Sequence, residues 1–354
     1  MSRFFSQKFA SLIPYTPGEQ PRDRRYIKLN TNESPFPPSP LAQRLARQEA
    51  GDLQLYSDPA CAVLVQTAAE YFGVEPEELI FTNGSDDILN FAMMAFCDAD
   101  HPAAFPDVTY GFYPVLAALN GVPFEEFPLR EDFTIRPEDY TGAGATIFLA
   151  NPNAPTGIAL PLSDVERIIA SNPDNVVVVD EAYVDFGGES CLGLIKKYDN
   201  LLVTRTFSKS RSLAGGRLGF GMGNRNLIRD LNTLRYSANP YCVNRMTMMA
   251  GVGAILDEAY FRFCCGGIVK TREETAEKLK TLGFEMTDSA ANFLFIRHPR
   301  VGGMELYRFL YEKGILIRHF ETPRLKDYNR VSVGSEEEMR SLTEALAELL
   351  GEKA

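Results

Sequence analysis

Short, nearly unbroken apolar runs alternate with stretches of helical texture along the first two thirds of the chain. Leu79-Ile80-Phe81-Thr82, Ala103-Ala104-Phe105, Thr146 to Ala150, Val176 to Val179 and Leu201 to Thr204 are too short for ordinary helices and predict strands. Val176 to Val179 has no polar alternation, which suits a strand buried on both faces of a parallel sheet. Ala60 to Phe72 and Asp87 to Cys97 have helical texture, and Ser163-Asp164-Val165-Glu166 has the form of a capping box that opens a helix. Such alternation predicts an α/β fold, a mostly parallel sheet with helices on both faces.

The texture changes from about Val243. Helical stretches dominate (Met246 to Phe263, Lys270 to Leu282), with short strands at Asn292 to Ile296 and Arg330 to Val333. A second capping box, Ser335 to Glu338, precedes a final helix. These elements predict a smaller α+β domain. At the other end, Ser34-Pro35-Phe36-Pro37-Pro38-Ser39-Pro40 is an extended connector, because proline fixes φ and disfavours helix before it. The expected organisation is an N-terminal arm and connector over 1–40, a large domain over 41–245 and a small C-terminal domain over 246–354.

Composition narrows the function. The net charge of -11 argues against a phosphate backbone as partner. No apolar run approaches the roughly 18 residues of a membrane span, and the first residues lack a signal-peptide core. The six cysteines form no C-x-x-C pair, which fits reduced thiols and a cytoplasmic location. The three histidines, His101, His298 and His319, have no metal-ligand spacing, so no metal site is expected.

In open α/β sheets the ligand site lies beyond the carboxyl ends of the strands, and four motifs stand there. Val176 to Val179 runs into Asp180-Glu181. A magnesium-holding strand of an ATPase would need a partner loop ending in Gly-Lys, and the chain has no Gly-Lys dipeptide. No G-x-G-x-x-G follows a strand either. Leu201 to Thr204 leads into Arg205-Thr206-Phe207-Ser208-Lys209; the S-x-x-K of acyl-transfer enzymes fails because Thr206 holds the serine position. Asn83-Gly84-Ser85-Asp86 joins a strand to a helix, where free N–H groups suit phosphate. Asn151-Pro152-Asn153-Ala154-Pro155-Thr156-Gly157 is a turn. Taken singly, each has an ordinary structural reading: a helix cap, a solvated lysine, an N-cap, a loop. Together they offer a lysine, an acid and a phosphate-ready turn, which is the set that pyridoxal 5'-phosphate (PLP) needs.

With these motifs the sequence resembles the class I/II aminotransferases of PLP fold type I, most of all the histidinol-phosphate aminotransferases within them. The resemblance runs through Leu29 to Pro35, Leu55 to Pro59, Asn83 to Asp86, Asn151 to Gly157 and Asp180-Glu181-Ala182-Tyr183. It continues through Arg205 to Lys209, Leu213 to Gly219, Ala291-Asn292-Phe293 and Arg330 to Gly334. It implies that Lys209 is the Schiff-base lysine, that Asp180 faces the pyridine nitrogen and that Tyr183 donates to the ring O3'. Tyr110 would stack on the ring. Gly84, Ser85, Asp86, Thr206, Ser208 and Arg217 would hold the phosphate, with Tyr56 arriving from the other subunit of a homodimer. Asn153 joins the cofactor set. Tyr15, Asn32, Arg318 and Arg330 form the substrate set, the two arginines taking the phosphate ester of histidinol phosphate and then a carboxylate of 2-oxoglutarate. The implied reaction yields imidazole-acetol phosphate and glutamate, in histidine biosynthesis. The alternatives are an aromatic or other amino-acid aminotransferase, or a threonine-phosphate decarboxylase. Ala154 departs from the pattern by standing where relatives place an asparagine that bonds O3'. Gly216 and Ser210-Arg211-Ser212 also differ from the usual wording.

Overall fold

In the computed structural model, which describes residues 2–351, the chain builds a seven-stranded sheet, a separate four-stranded sheet and a long N-terminal arm. Met1 and residues 352–354, the outer ends of the expected arm and small domain, lie outside the described residues. The arm contributes one short strand, β1 (Ile27–Lys28). Ser39 then caps α1 (Pro40–Glu49) by accepting from the Ala42 amide, with Pro40 at the first helical position. The proline-dense connector therefore ends in a helix start.

The large sheet is assembled around helices α2 (Ala62–Phe72), α3 (Ser85–Phe96), α4 (Tyr113–Asn120), α5 (Leu162–Ala170), α6 (Arg225–Ala238) and α7 (Arg245–Leu256). Its strands are β2 (Leu79–Thr82), β3 (Ala103–Pro106), β4 (Phe124–Phe127), β5 (Thr146–Ala150), β6 (Val177–Asp180), β7 (Leu201–Thr206) and β8 (Gly219–Gly223). They run in the order β2-β8-β7-β6-β5-β3-β4, parallel except for β8. Successive residues serve opposite layers. Val177, Val179, Leu201 and Val203 pack with Leu64 of α2, Val165 of α5 and Met248 of α7, while Val178 and Leu202 pack with Ile88, Leu116 and Ile228 of α3, α4 and α6. Two covered faces explain why these strands lack polar alternation.

Several expectations need correction. The helix at α5 begins at Leu162 with Pro161 at its N-cap and no side-chain cap bond, so Ser163 and Glu166 form no capping box. The helical stretch from Met246 to Phe263 breaks at Asp257, between α7 and α8 (Glu258–Thr281). Helix α7 packs closely on α1, since a Cβ at Gly253 would lie 2.6 Å from Ala42 Cα.

Beyond α8 come β9 (Glu285–Met286), β10 (Phe293–Arg297), α9 (Gly303–Glu312), β11 (Ile315–Leu316), β12 (Arg318–His319), β13 (Asn329–Ser332) and α10 (Glu336–Leu350). The small antiparallel sheet has the order β12-β13-β10-β9. Its core joins Leu294, Ile296 and Val331 to Leu306, Leu310, Leu342 and Leu346. The expected capping box at Ser335 is present, with Ser335 and Glu338 exchanging bonds at 3.2 and 2.8 Å. The arm is tied to these elements by β1, which pairs in parallel with β11.

Candidate active site

Register sets the chemistry at the centre of the large sheet. Asp180 and Thr204 are partners across β6 and β7, so both side chains point to the α3–α4 face, whereas Glu181 and Arg205 point to the opposite one. Asp180 is 5% exposed. Thr204 Oγ1 donates to its Oδ1 at 3.1 Å and Tyr113 OH, from the first turn of α4, to its Oδ2 at 3.3 Å. Burial pushes the carboxyl up to about 6; the two hydroxyl bonds oppose that rise and the charge of Asp86 adds to it. A buried carboxylate whose side-chain partners are hydroxyls is suited to a ring N–H⁺.

Lys209 follows β7 on a tight turn. Thr206 Oγ1 accepts from the Ser208 amide at 3.1 Å and donates to Ser208 Oγ at 3.0 Å. Lys209 Nζ donates to the Thr31 carbonyl at 3.3 Å and lies 5.8 Å from the centre of the Tyr183 ring. On the other face of the sheet, Arg205 meets the buried Glu181 at 2.8 Å. Ser190 Oγ and the Cys191 amide donate to the same carboxylate at 2.8 and 2.7 Å. Ser210 Oγ, next to the lysine, donates to Asp185 at 2.6 Å, and Asp185 lies 3.8 Å from Arg205. The lysine turn is thus braced from behind.

The turn from β2 into α3 is shaped for an anion. Gly84 has φ of +91°, and a Cβ there would lie 2.6 Å from Arg217 Nη2. A Cβ at Gly219 would lie 2.2 Å from the Ser85 nitrogen. The helix start at Ser85 has no side-chain cap. Asp86 takes Tyr110 OH at 3.0 Å and Arg217 Nη2 at 3.1 Å. Amide groups of a helix N-terminus beside a guanidinium suit a phosphate.

In the small sheet, Arg330 of β13 and Arg318 of β12 are register partners. Their hydrogen bonds go to backbone carbonyls, Arg330 to Asn30 at 3.3 Å and Arg318 to Thr16 at 3.4 Å. Burial, and then the like charge of Arg318, holds the Arg330 guanidinium below its usual range against the pull of the nearby Tyr183 and Tyr15 hydroxyls. Among the described residues, the buried side-chain atoms without a hydrogen-bond partner are Asn30 Oδ1, Thr31 Oγ1, Asn292 Oδ1, Arg330 Nε and Tyr140 OH. All but the last lie where the arm meets Lys209 and Arg330. Unpaired buried polar atoms gathered at one place fit a polar ligand. Tyr15 packs edge-on to Tyr110 and Phe112, with ring centres 6.3 and 5.4 Å apart, so the arm folds over this side.

Three more of the expected residues have the following surroundings. Asn153 turns its amide toward the segment after β3 and its own loop: Nδ2 donates to Val108 O and Thr156 Oγ1 at 2.9 and 3.1 Å, and Oδ1 accepts from Thr109. Asn32 is 1% exposed and hydrogen-bonds with Ser332, Asn292 and Tyr183. Tyr56 is 81% exposed, stacked on Tyr241 at 4.6 Å. Tyr113 and Thr204 were not anticipated. Thr204 was accessible from strand alternation in step with Asp180; Tyr113 had only its place one helical turn after Tyr110.

A sequence profile of the class I and II aminotransferases matches residues 24–346. The histidinol-phosphate aminotransferase of Brachyspira hyodysenteriae is 48% identical over 348 residues, covering 98% of this chain and 98% of its own. Histidinol-phosphate aminotransferase 2 of Dechloromonas aromatica is 47% identical over 99% of this chain and 100% of its own. The solved histidinol-phosphate aminotransferase from Sinorhizobium meliloti in complex with pyridoxal-5'-phosphate is 24% identical, covers 99% of this chain and 98% of its own, and has a TM-score of 0.90; it shares the fold, PLP fold type I. Matched by that profile and by these relatives along nearly its whole length, the chain belongs to the class I and II aminotransferases.

Proposed function

We propose that the protein is a PLP-dependent histidinol-phosphate aminotransferase of histidine biosynthesis, passing the amino group to 2-oxoglutarate. The observation that carries this reading is the Arg318–Arg330 pair, which has no carboxylate partner among the described residues, with Arg330 near Tyr183, the ring beside Lys209. A planar guanidinium accepts a phosphate monoester or a carboxylate by the same bidentate geometry, so one pair serves both half-reactions. Nearly full-length identity to relatives bearing that name supports the same substrate.

The cofactor supplies an aldehyde and a protonated ring that together act as an electron sink. Lys209 Nζ would link to it and later move a proton to and from the substrate carbon. Asp180 Oδ would hold the ring nitrogen protonated, with Thr204 and Tyr113 keeping the carboxylate oriented. The start of α3, Arg217, Thr206 and Ser208 would hold the phosphate. Tyr110 and Tyr15 would wall off water from the arm side.

A homodimer belongs to this reading. Tyr56 is exposed with Leu53 and Leu55, at 57% and 56%, an apolar face suited to a second copy, to whose phosphate Tyr56 would reach. A cytoplasmic location suits the free cysteines. The test is to add PLP to the purified protein, reduce with borohydride and map the label, expected on the Lys209 peptide. Turnover is then compared for histidinol phosphate, phenylalanine and threonine phosphate with 2-oxoglutarate. Preference for phenylalanine, or release of carbon dioxide from threonine phosphate, would overturn the substrate.

A further inference from the structure

Ala154, buried against Ala291, Phe293 and Tyr183, puts a methyl group where an amide donor would otherwise stand beside the tyrosine. An amide does reach Tyr183, from another quarter of the chain. Asn32 Nδ2 donates to the Tyr183 hydroxyl at 2.9 Å. Resting on the PLP reading above, we propose that Asn32, held in place by Ser332, is a positioning residue that sets the donor strength of the Tyr183 hydroxyl toward the ring oxygen.

The directions of the hydrogen bonds carry the argument. The Asn32 backbone N–H donates to Ser332 Oγ at 2.8 Å, and Ser332 spends its one proton on the Asn32 side-chain Oδ1 at 3.0 Å. That bond makes Oδ1 the acceptor and leaves Nδ2 as the donor to Tyr183. Tyr183 therefore accepts from Asn32, and its own proton remains for the ring. A phenol that accepts a hydrogen bond becomes a better donor, since the bond favours charge on its oxygen. The geometry is locked: Asn32 has φ of +54°, and Asn292 Nδ2 donates to its carbonyl at 3.0 Å. The titratable groups around Tyr183 are Lys209, Arg330, Tyr110 and Tyr113; Asn32 adds a fixed neutral donor to them. Ser332 also stands two residues after Arg330 on β13. Both side chains share one face of the strand while Val331 enters the small-domain core. The strand that would hold the substrate anion is thereby the strand that orients the Tyr183 amide partner.

The test is a pH titration of the visible absorbance of the PLP-loaded protein, with the PLP dissociation constant measured alongside. A donor at the ring oxygen lowers the midpoint, so Asn32→Ala and Ser332→Ala should each raise it, by about half a pH unit for the partial loss of one hydrogen bond. The same substitutions in a Tyr183→Phe background should produce no further shift. The inference is overturned if the single variants keep the wild-type midpoint, or if they shift it equally without the Tyr183 hydroxyl. Ser332→Ala, which deletes one oxygen, serves where Asn32→Ala fails to fold. Failure of the wild type to develop a visible band with PLP would instead overturn the cofactor assignment beneath.

Discussion

Replacing Arg330 with methionine separates function from stability. The native guanidinium makes one long hydrogen bond, 3.3 Å to the Asn30 carbonyl, leaves Nε unpaired and faces Arg318 across the sheet. Removing it gives up no more than about 1 kcal/mol of hydrogen bonding and relieves an unpaired, half-buried cation. Methionine keeps an unbranched stem against Phe293, whose ring centre lies 5.3 Å from the guanidinium carbon. The unfolding free energy of Arg330→Met should therefore equal or exceed that of the wild type. The substrate anion, in contrast, loses charge-assisted bonds of roughly 1.5–3 kcal/mol each. One such bond is a loss of about ten- to hundred-fold or more in kcat/KM for histidinol phosphate. Steady-state rates and denaturant unfolding, run on the same preparations, measure both quantities. On the PLP-loaded protein, where the cofactor-phosphate cradle is filled, inorganic phosphate should raise the melting temperature of the wild type more than that of the variant. A variant with unchanged kcat/KM and a lowered unfolding free energy would refute the reasoning and make Arg330 a structural residue.

Asp180 gives a pH signature in the cofactor-free protein. Its carboxyl is raised from 3.8 to about 6, so the protonated form is favoured in the fold; its contribution is present below pH 3.8 and lost as pH rises through 6. The loss amounts to roughly 3 kcal/mol by neutral pH. Asp180→Asn should then be more stable than wild type above pH 6, with a flatter slope between pH 4 and 6 in denaturant unfolding, yet bind PLP more weakly; parallel slopes would count against it. Mixing inactive Lys209→Ala with inactive Tyr56→Ala should restore activity through heterodimers, and heterodimers shown to form without activity would exclude a shared site. Ala154→Asn should lower the visible-band midpoint by about a unit, the equivalent of a new bond worth ~1–1.5 kcal/mol. An unchanged midpoint would mean that Asn32 already meets the need.

The strands that were legible from the chain are the ones buried on both sides. Leu79–Thr82 and Thr146–Ala150 were located to the residue because uninterrupted apolar character has no other use in so short a run. Strand β8 was not, since Gly219, Gly221 and Gly223 weaken any strand pattern; a Cβ at Gly219 would strike the Ser85 nitrogen, so contact rather than propensity selects that glycine. Strand β4 escaped because Phe124, Glu125 and Glu126 are exposed at the sheet edge. Within the site, Asp180 ends an apolar run and Lys209 stands just past another, which is what made them stand out. The orientations of Asn32 and Asn153 were not legible. Each asparagine is aimed by partners chosen in three dimensions, and Ser332 lies 300 residues from Asn32. The facing of Arg318 and Arg330 depends on antiparallel register, which local pattern does not encode.

The brace behind the sheet has a consequence for how the molecule breathes. Residues 187–191 belong to no helix or strand, and a segment of this kind ordinarily trades its amide protons with solvent quickly. Cys191 is an exception by construction, because its amide donates to a carboxylate that is fully buried and paired with Arg205. That proton leaves only when its bond to Glu181 Oε1 opens, and displacing the carboxylate would disturb the buried pair that its other oxygen makes with Arg205. Deuterium uptake at Cys191 should therefore lag far behind that of its loop neighbours and keep pace with the central strands β6 and β7. A stretch of irregular chain would then behave as part of the slowest-opening unit of the fold.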